Sequence, residues 1–200
     1  MSFDAWIEPA AALLFGYLLG SIPFGVILTR LFGAGDLRTI GSGNIGATNV
    51  LRTGRKGLAL ATLLLDAGKG AVAVLAADAF APSLAPIAGL GAFLGHLYPV
   101  WLRFAGGKGV ATLLGIALAL AWPIGLAFVI VWLGIMALTR FSSAGGMAAA
   151  MGAPAVAALI GRFDLVLLFV LCAALVLWKH RSNIVRLLDG TEPRIGRSRG

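Results

Sequence analysis

The chain has 200 residues, of which 60% are hydrophobic and only 12% are charged, and its mean hydropathy is +0.96. A soluble domain of this length does not need so much apolar surface, so the composition indicates an integral membrane protein. The formal net charge is +8, but the basic residues are scattered between apolar runs and form no stripe with interleaved aromatic residues, which argues against a nucleic-acid partner.

Apolar runs in chain order predict an all-α, polytopic protein with seven transmembrane helices and no separate soluble domain. Pro23 should kink the first helix. The run 109–139 is too long for one crossing of a hydrocarbon core of about 30 Å, and Trp122-Pro123 divides it into two short helices. The predicted spans are 6–29, 57–77, 84–102, the two halves of 109–139, 143–160 and 165–178.

The distribution of basic residues orients these helices. Seven spans place 30–56, 103–108, Arg140 and 179–200 on one side, which then holds nearly every Lys and Arg. The other side receives mostly acidic residues and only Arg162. The positive-inside rule therefore predicts an external N-terminus and a cytoplasmic C-terminus. Six full spans fit this bias worse. A re-entrant hairpin in place of the two short helices would leave all other loops on the same sides of the membrane, so this alternative is not excluded.

A glycine-rich turn that carries Lys108 separates two of the apolar runs. Gly106, Gly107 and Gly109 leave backbone N–H groups uncovered by side chains, so an anion can approach closely. A helix that begins after the turn, with Thr112 in its first turn, would add free N–H groups and the positive end of its dipole. The spacing does not match the ATP-binding P-loop. The turn therefore predicts phosphate binding and not nucleotide hydrolysis.

Two further polar clusters fall on the predicted cytoplasmic side. Residues 41–52 combine glycines with hydroxyl, amide and guanidinium groups, and residues 180–192 carry a His, an Asn and an Arg at three-residue intervals. Each of these side chains, taken singly, also has a structural explanation as a turn cap or a membrane anchor. Three donor-rich clusters on one membrane face nevertheless predict a common pocket for an anionic ligand. The candidates in these two clusters are Ser42, Gly43, Asn44, Thr48, Asn49, Arg52, His180, Asn183, Arg186 and Glu192.

Three ionisable residues lie elsewhere and are possible supports of the site. Asp66 and Lys69 are three residues apart near the middle of a predicted span, and His96 lies upstream of the glycine-rich turn. Ionisable residues inside a membrane are usually functional. Asp66 and Lys69 could equally do no more than neutralise each other, and both explanations stay open.

Three ordered motifs resemble the signature loops of the bacterial acyl-phosphate:glycerol-3-phosphate acyltransferase family. They are SGNIGATNVLR at 42–52, GGKGVAT at 106–112 and HRSNIVRLLDGTE at 180–192. The resemblance implies one integral-membrane domain over 1–200, with a basic tail at about 193–200. It also implies transfer of a fatty acyl group from acyl phosphate to the 1-hydroxyl of glycerol 3-phosphate, at the cytoplasmic side of the inner membrane. The implied partners are these two substrates and membrane lipids, and no cofactor or metal is implied.

The same resemblance implies catalytic roles for Ser42, Arg52, Lys108, His180 and Asn183, and places glycerol 3-phosphate at the glycine-rich turn. An acyl phosphate is a mixed anhydride and is already activated, so no covalent enzyme intermediate is obligatory. The reaction needs two anionic groups held together and the alcohol aligned on the carbonyl. The proton acceptor stays open between His180 and a phosphate oxygen of the substrate.

A membrane transporter of a phosphorylated solute is the alternative function. Short helices and a helix break such as the one at Pro123 also occur in transporters. Transporters, however, bind their ions near the middle of the bilayer, whereas nearly all the candidates in this chain lie at one predicted surface.

Overall fold

The structure is a computed structural model that describes residues 6–196, so residues 197–200 of the predicted basic tail lie outside the described range. Within that range the chain is helical, without strands, and the chain divides into two compact units, Met1–Leu120 and Ala121–Gly200. The α-helices are α1 (Ile7–Gly20), α2 (Phe24–Leu31), α3 (Ala47–Leu51), α4 (Lys56–Asp78), α5 (Ala85–Leu97), α6 (Val110–Leu120), α7 (Trp122–Thr139), α8 (Ser142–Leu159), α9 (Phe163–Lys179) and α10 (Arg181–Leu188).

In the first unit, α1 and α5 pack together through glycines. A methyl group at Gly16 or Gly20 of α1 would overlap the backbone of α5 at Ala88 or Ala92, respectively. Gly91 of α5 lies equally close to the backbone of α1. Helix association inside a bilayer depends on close van der Waals packing, because lipid tails are as apolar as the helices themselves. Small residues at these positions allow that contact.

The predicted kink at Pro23 is confirmed. Helix α1 ends at Gly20 and α2 begins at Phe24, so the first span is broken between them. A break of this kind frees backbone carbonyls that the bilayer cannot hydrate. The carbonyl oxygen of Ile22, inside the break, accepts a hydrogen bond of 2.8 Å from Nζ of Lys69 on α4. A buried lysine of another helix thus helps to satisfy the broken backbone.

Helix α4 contacts more helices of the first unit than its neighbours do: it touches α1, α2, α3, α5 and α6. It meets α6 through a second set of glycine contacts. A methyl group at Gly115 of α6 would overlap the backbone of Ala67, and Gly70 of α4 faces the carbonyl oxygen of Thr112. The start of α6 is thereby fixed against the middle of α4.

In the second unit, α8 packs against both α7 and α9. Gly145 of α8 lies directly against the backbone of Trp132 in α7, which repeats the close contacts seen in the first unit. Helices α9 and α10 meet at an angle of 60°. His180 is the residue between them.

The predicted class of fold is confirmed, whereas the predicted number of spans is only partly supported. Within residues 6–196, five segments are long and apolar enough to cross a membrane, and α9 with α10 would make a sixth. Helix α6 has 11 residues, which gives about 16 Å against a hydrocarbon core of about 30 Å. Seven crossings and the orientation of the termini stay predictions. The five segments are Ile7–Leu31, Lys56–Asp78, Pro82–Leu102, Trp122–Thr139 and Ser142–Leu159.

Candidate functional site

Asn49 organises the first donor-rich cluster. Its buried amide donates hydrogen bonds from Nδ2 to the carbonyl oxygens of Leu37 and Ile40, at 3.0 and 2.9 Å. Its Oδ1 accepts the backbone N–H of Ser42 at 3.2 Å and a longer hydrogen bond of 3.4 Å from Nη1 of Arg52. Asn49 thus orients two of the predicted catalytic residues. Its own contact with a phosphate stays a prediction.

The other candidates of this cluster lie at the surface of the first unit. Ser42, Thr48 and Arg52 are exposed, and Asn44 is half-buried. Oδ1 of Asn44 accepts the backbone N–H of Gly46 at 2.8 Å, which closes a tight turn. The exposed hydroxyl and guanidinium groups leave this surface suited to an anion.

The carboxylate nearest to this cluster in the sequence is already paired. Asp36 accepts four hydrogen bonds from Arg38, of which the shortest are 2.7 Å from Nη2 and 3.0 Å each from Nε and the backbone N–H. These hydrogen bonds hold the pKa of the Asp36 carboxyl well below its ordinary value. Asp36 is the only acidic residue between Arg30 and Lys56. The segment therefore keeps a net positive charge for an incoming phosphate.

The glycine-rich turn is held against the C-terminal end of α5. The backbone N–H of Gly107 donates to the carbonyl oxygen of His96 at 3.0 Å. A methyl group at Gly107 would overlap Nε2 of His96, and one at Gly106 would overlap the His96 carbonyl oxygen. Glycine is therefore required here by close packing. It follows that the N–H of Gly107, which the sequence suggested for an anion, is bonded inside the protein.

The prediction that a helix begins directly after the turn is confirmed. Gly109 has φ +85°, and its carbonyl oxygen accepts the N–H of Leu113 in the first turn of α6, at 2.8 Å. The first N–H groups of a helix have no intrahelical acceptor, so those of α6 suit an anion beside the half-buried Lys108. Thr112 is fully buried, and its hydroxyl has no hydrogen-bond partner within residues 6–196. That hydroxyl lies inside the fold and not at the surface of the turn.

The first two clusters lie at the same end of the first unit. Leu102, four residues before the glycine-rich turn, packs against an apolar cluster that includes Ile45 and Val50 of the first donor-rich segment. Gly25 of α2 also lies directly against the carbonyl oxygen of Ile45. The first donor-rich segment is thus packed against a residue of the stretch that leads into the glycine-rich turn.

Beneath these clusters lies a group of three buried ionisable residues. Nζ of Lys69 is 2.8 Å from Oδ1 of Asp66, and Nδ1 of His96 is 3.7 Å from the same oxygen. The side chains of Lys69 and Asp66 are only 1% and 3% exposed. The sequence left open whether Asp66 and Lys69 only neutralise each other, and it did not place His96 beside them.

In the second unit, Glu192 is the centre of a hydrogen-bond network. Its Oε1 accepts from Oγ of Ser143 and from Nδ2 of Asn183, each at 2.6 Å, and its Oε2 accepts from Nε of Arg186 at 2.7 Å. The carboxylate therefore ties α10 to the start of α8. Because the amide nitrogen of Asn183 is engaged by Glu192, the orientation of the predicted catalytic amide is fixed.

Sequence reasoning missed Ser143, which it placed only at the start of a span. Burial raises the pKa of the Glu192 carboxyl, but the hydrogen bonds from Ser143, Asn183 and Arg186 outweigh that effect and hold it below the ordinary value. A serine at the start of an apolar run, followed 49 residues later by a glutamate, is too weak a signal to pair the two from sequence alone.

His180 is buried at the bend between α9 and α10. Its Nδ1 lies 2.8 Å from the carbonyl oxygen of Val176. A carbonyl oxygen only accepts hydrogen bonds, so Nδ1 carries the hydrogen and Nε2 is the nitrogen that can take up a proton. The geometry is compatible with a base at Nε2. Because this third cluster belongs to the second unit, the single pocket predicted for all three clusters stays a prediction.

Comparisons with known proteins agree on one family. The family model for glycerol-3-phosphate acyltransferase matches residues 10–190. A glycerol-3-phosphate acyltransferase of Mesorhizobium japonicum is 60% identical over 185 residues, which cover 92% of this chain and 95% of the relative. One of Roseobacter denitrificans is 58% identical over 194 residues, which cover 96% of this chain and 97% of the relative.

Solved structures show the same likeness. The crystal structure of PlsY (YgiH), an integral membrane glycerol 3-phosphate acyltransferase, in its glycerol 3-phosphate form has a TM-score of 0.89 at 38% identity, covering 94% of this chain and 96% of that one. The lysophosphatidic acid form of PlsY has a TM-score of 0.87 at 37% identity, with 94% and 95% covered.

The Glu192 network predicts a pH dependence of stability. Because the folded-state pKa of this carboxyl is lowered, its stabilising effect is complete above the unfolded-state pKa of about 4.3 and is lost as the pH falls through the folded value. We expect Glu192→Gln to lower the Tm at pH 7 and to flatten the fall in Tm between about pH 5 and pH 3. Thermal unfolding of the detergent-solubilised protein at several pH values measures both effects. Asp189→Asn, a change at an exposed carboxyl of the same segment, is the control, and an equally steep fall in Tm for Glu192→Gln contradicts the assignment.

Proposed function

The chain belongs to the glycerol-3-phosphate acyltransferase family, and we propose how its residues carry out the reaction of that family. The protein is an integral membrane acyltransferase that moves a fatty acyl group from acyl phosphate to the 1-hydroxyl of glycerol 3-phosphate. Its products are lysophosphatidic acid and phosphate, and it serves phospholipid synthesis. The family match over residues 10–190 is the observation that carries this conclusion. That range contains every predicted catalytic residue, and nothing in the match favours a transporter.

The positive groups of the first unit bind the two phosphate groups of the reaction. Arg52 offers a planar guanidinium, Lys108 offers a compact charge, and the first turn of α6 offers free N–H groups. Two substrate phosphates repel each other, and these donors offset that repulsion. Gly43, Asn44 and Thr48 shape the first cluster, and the glycine-rich turn receives glycerol 3-phosphate.

Acyl transfer then needs only alignment of bound groups. The 1-hydroxyl oxygen attacks the acyl carbonyl carbon, a new C–O bond forms, and the bond between that carbon and the phosphate oxygen breaks. The hydroxyl proton passes to a phosphate oxygen of the substrate, with Ser42 and Asn183 orienting the reacting groups. Positioning of bound reactants can supply about 7–11 kcal/mol of the barrier. Donors aimed at the developing oxyanion and at the departing phosphate lower the barrier further.

The roles of Arg52 and Lys108 are tested with matched neighbours. We expect Arg52→Ala and Lys108→Ala to lower kcat/KM by about 100-fold or more, since each removes a charged donor from the reacting anions. Arg55→Ala and Lys56→Ala, which remove the same charges at exposed positions near the start of α4, are expected to change it by less than about threefold.

The measurement is the formation of lysophosphatidic acid by the purified protein from glycerol 3-phosphate and palmitoyl phosphate. Parallel reactions supply acyl-CoA or acyl carrier protein as the donor in place of palmitoyl phosphate. Turnover with palmitoyl phosphate alone is expected. Equal losses at all four positions would mean that the basic residues are only membrane anchors.

The proton acceptor is tested at His180. An asparagine there places an amide nitrogen near the position of Nδ1 and keeps the hydrogen bond to Val176, whereas it removes Nε2. Because we assign the proton acceptor to the substrate phosphate, we expect His180→Asn to keep kcat within about tenfold of the parent. Loss of a true general base would lower kcat by about 10²–10⁴-fold. His180→Gln, which loses the Nδ1 donor, is expected to be the more damaged variant. A loss of 10³-fold or more in His180→Asn, with the acid limb of the pH–rate profile abolished, would assign the base to the histidine.

The chain functions as one domain, and we propose seven membrane crossings with the N-terminus outside and the active residues at the cytoplasmic face of the inner membrane. The family model runs across the boundary between the two compact units, which supports a single functional domain. The orientation is supported by the charge bias between the loops. The short helix α6 leaves a re-entrant hairpin of α6 and α7 as the competing arrangement.

Labelling with a membrane-impermeant maleimide tests this topology, on a background in which Cys172 is replaced by serine. We expect Arg162→Cys and Ala121→Cys to react in intact cells, because both positions lie in predicted external loops. Arg140→Cys is expected to react only after the membrane is permeabilised. Protection of Ala121→Cys while Arg162→Cys reacts would establish the hairpin, and the reverse pattern at Arg162 and Arg140 would overturn the orientation.

A further inference from the structure

The buried pair of Asp66 and Lys69 reaches the first donor-rich cluster through α2. Nζ of Lys69 donates to the carbonyl oxygen of Ile22 at 2.8 Å and lies 5.8 Å from the ring centroid of Phe24, the first residue of α2. The next residue, Gly25, lies directly against the carbonyl oxygen of Ile45, inside the cluster. Two contacts therefore link Lys69 to this segment.

The same pair reaches the second cluster through α5. Oδ1 of Asp66 lies 3.7 Å from Nδ1 of His96. Nε2 on the opposite edge of the imidazole lies directly against Gly107, and the His96 carbonyl oxygen accepts the Gly107 N–H at 3.0 Å. His96 therefore holds the glycine-rich turn with both its side chain and its backbone. Lys108, the predicted phosphate ligand, is the next residue.

A pair that served only to neutralise charge would not need these outward contacts. Burying two charges is costly, and apolar residues of similar volume are often as stable as a buried ion pair. Here the lysine also bonds to the α1–α2 break, and the aspartate also faces His96. Both partners lie one turn apart on α4, which contacts α2, α5 and α6. The pair is thus a common support for two loops that are more than fifty residues apart in the sequence.

We propose that Asp66, Lys69 and His96 are positioning residues that fix the relative position of the two phosphate-binding clusters of the first unit for acyl transfer. They act through Ile45 and Gly107 and do not touch the reacting atoms. This inference rests on the proposed function of the two clusters. Displacement of a bound group by about 1 Å can cost on the order of 10²-fold in rate, so a small shift of either loop is enough to impair turnover.

The test compares single and double neutral variants of the purified protein. Asp66→Asn and Lys69→Met each leave one buried charge without its partner, so both are expected to lower the Tm. Both are also expected to raise the KM for glycerol 3-phosphate by about tenfold or more, since either the glycine-rich turn or the 41–52 segment moves. In the double variant no unpaired charge remains, so its Tm should return towards that of the parent while its KM stays raised. Lys69→Arg keeps the charge and the donor, and its KM is expected to lie within about threefold of the parental value.

Thr62→Val is the matched control. Thr62 is a fully buried polar residue one turn before Asp66 on α4, and its hydroxyl bonds only within its own helix, to Leu58 at 2.8 Å. Its replacement should leave the KM unchanged. The Tm, the folded fraction from size-exclusion chromatography, and the KM are measured for each variant.

Two results overturn the proposal. A double variant with the parental KM would show that the pair only balances charge. Single variants that lose folded protein but keep the parental KM in the remaining enzyme would show a purely structural role. A parent protein that does not turn over palmitoyl phosphate is a separate result, because it refutes the proposed function before any variant is compared.

Discussion

Direct contact between backbones at glycine positions is the interaction on which the first unit depends. Gly16 and Gly20 bring α1 onto α5, and Gly115 brings α6 onto α4. The same device reaches the candidate site, where Gly25 lies against the backbone of Ile45 and Gly106 lies against the backbone of His96. A bilayer offers no hydrophobic driving force between helices, so the closeness that glycine permits supplies the van der Waals contact in its place. The donor-rich loops are therefore positioned by the packing that holds the helices together.

In the part of the chain that the structure describes, each unit has one buried carboxylate, and these two provide a second level of order. Asp66 is paired with Lys69, and Glu192 is surrounded by a hydroxyl, an amide and a guanidinium. An ionised group removed from water persists only when such partners compensate for the lost hydration. Glu192 joins Ser143 of α8 to Asn183 of α10, and Asp66 faces His96 of α5 as well as Lys69 of its own helix. Each carboxylate consequently fixes one segment relative to another. We propose that these carboxylates hold in place the side chains that meet the substrate.

This division suits a reaction whose donor is already activated. A mixed anhydride needs no nucleophilic residue, and the enzyme gains rate by holding two anions close together and by stabilising charge in the transition state. Arg52 and Lys108 are exposed or half-buried and suited to that task. Asn49 and Glu192, in contrast, form hydrogen bonds inside the protein: Asn49 accepts one from Arg52, and Glu192 accepts one from Asn183.

The sequence by itself determined the membrane class, the positions of the apolar helices, the break at Pro23 and the donor-rich segments, because all of these follow from local composition and from residues close together in the chain. The order of the three motifs also determined the family. Only the tertiary structure decided that the Gly107 N–H is bonded to His96, that Ser143 is a partner of Glu192, and that Asp66 faces His96. It also gave α6 a length of 11 residues. These features arise from contacts between residues far apart in the sequence, and such contacts are set by how closely the helix backbones pack, which no local pattern records.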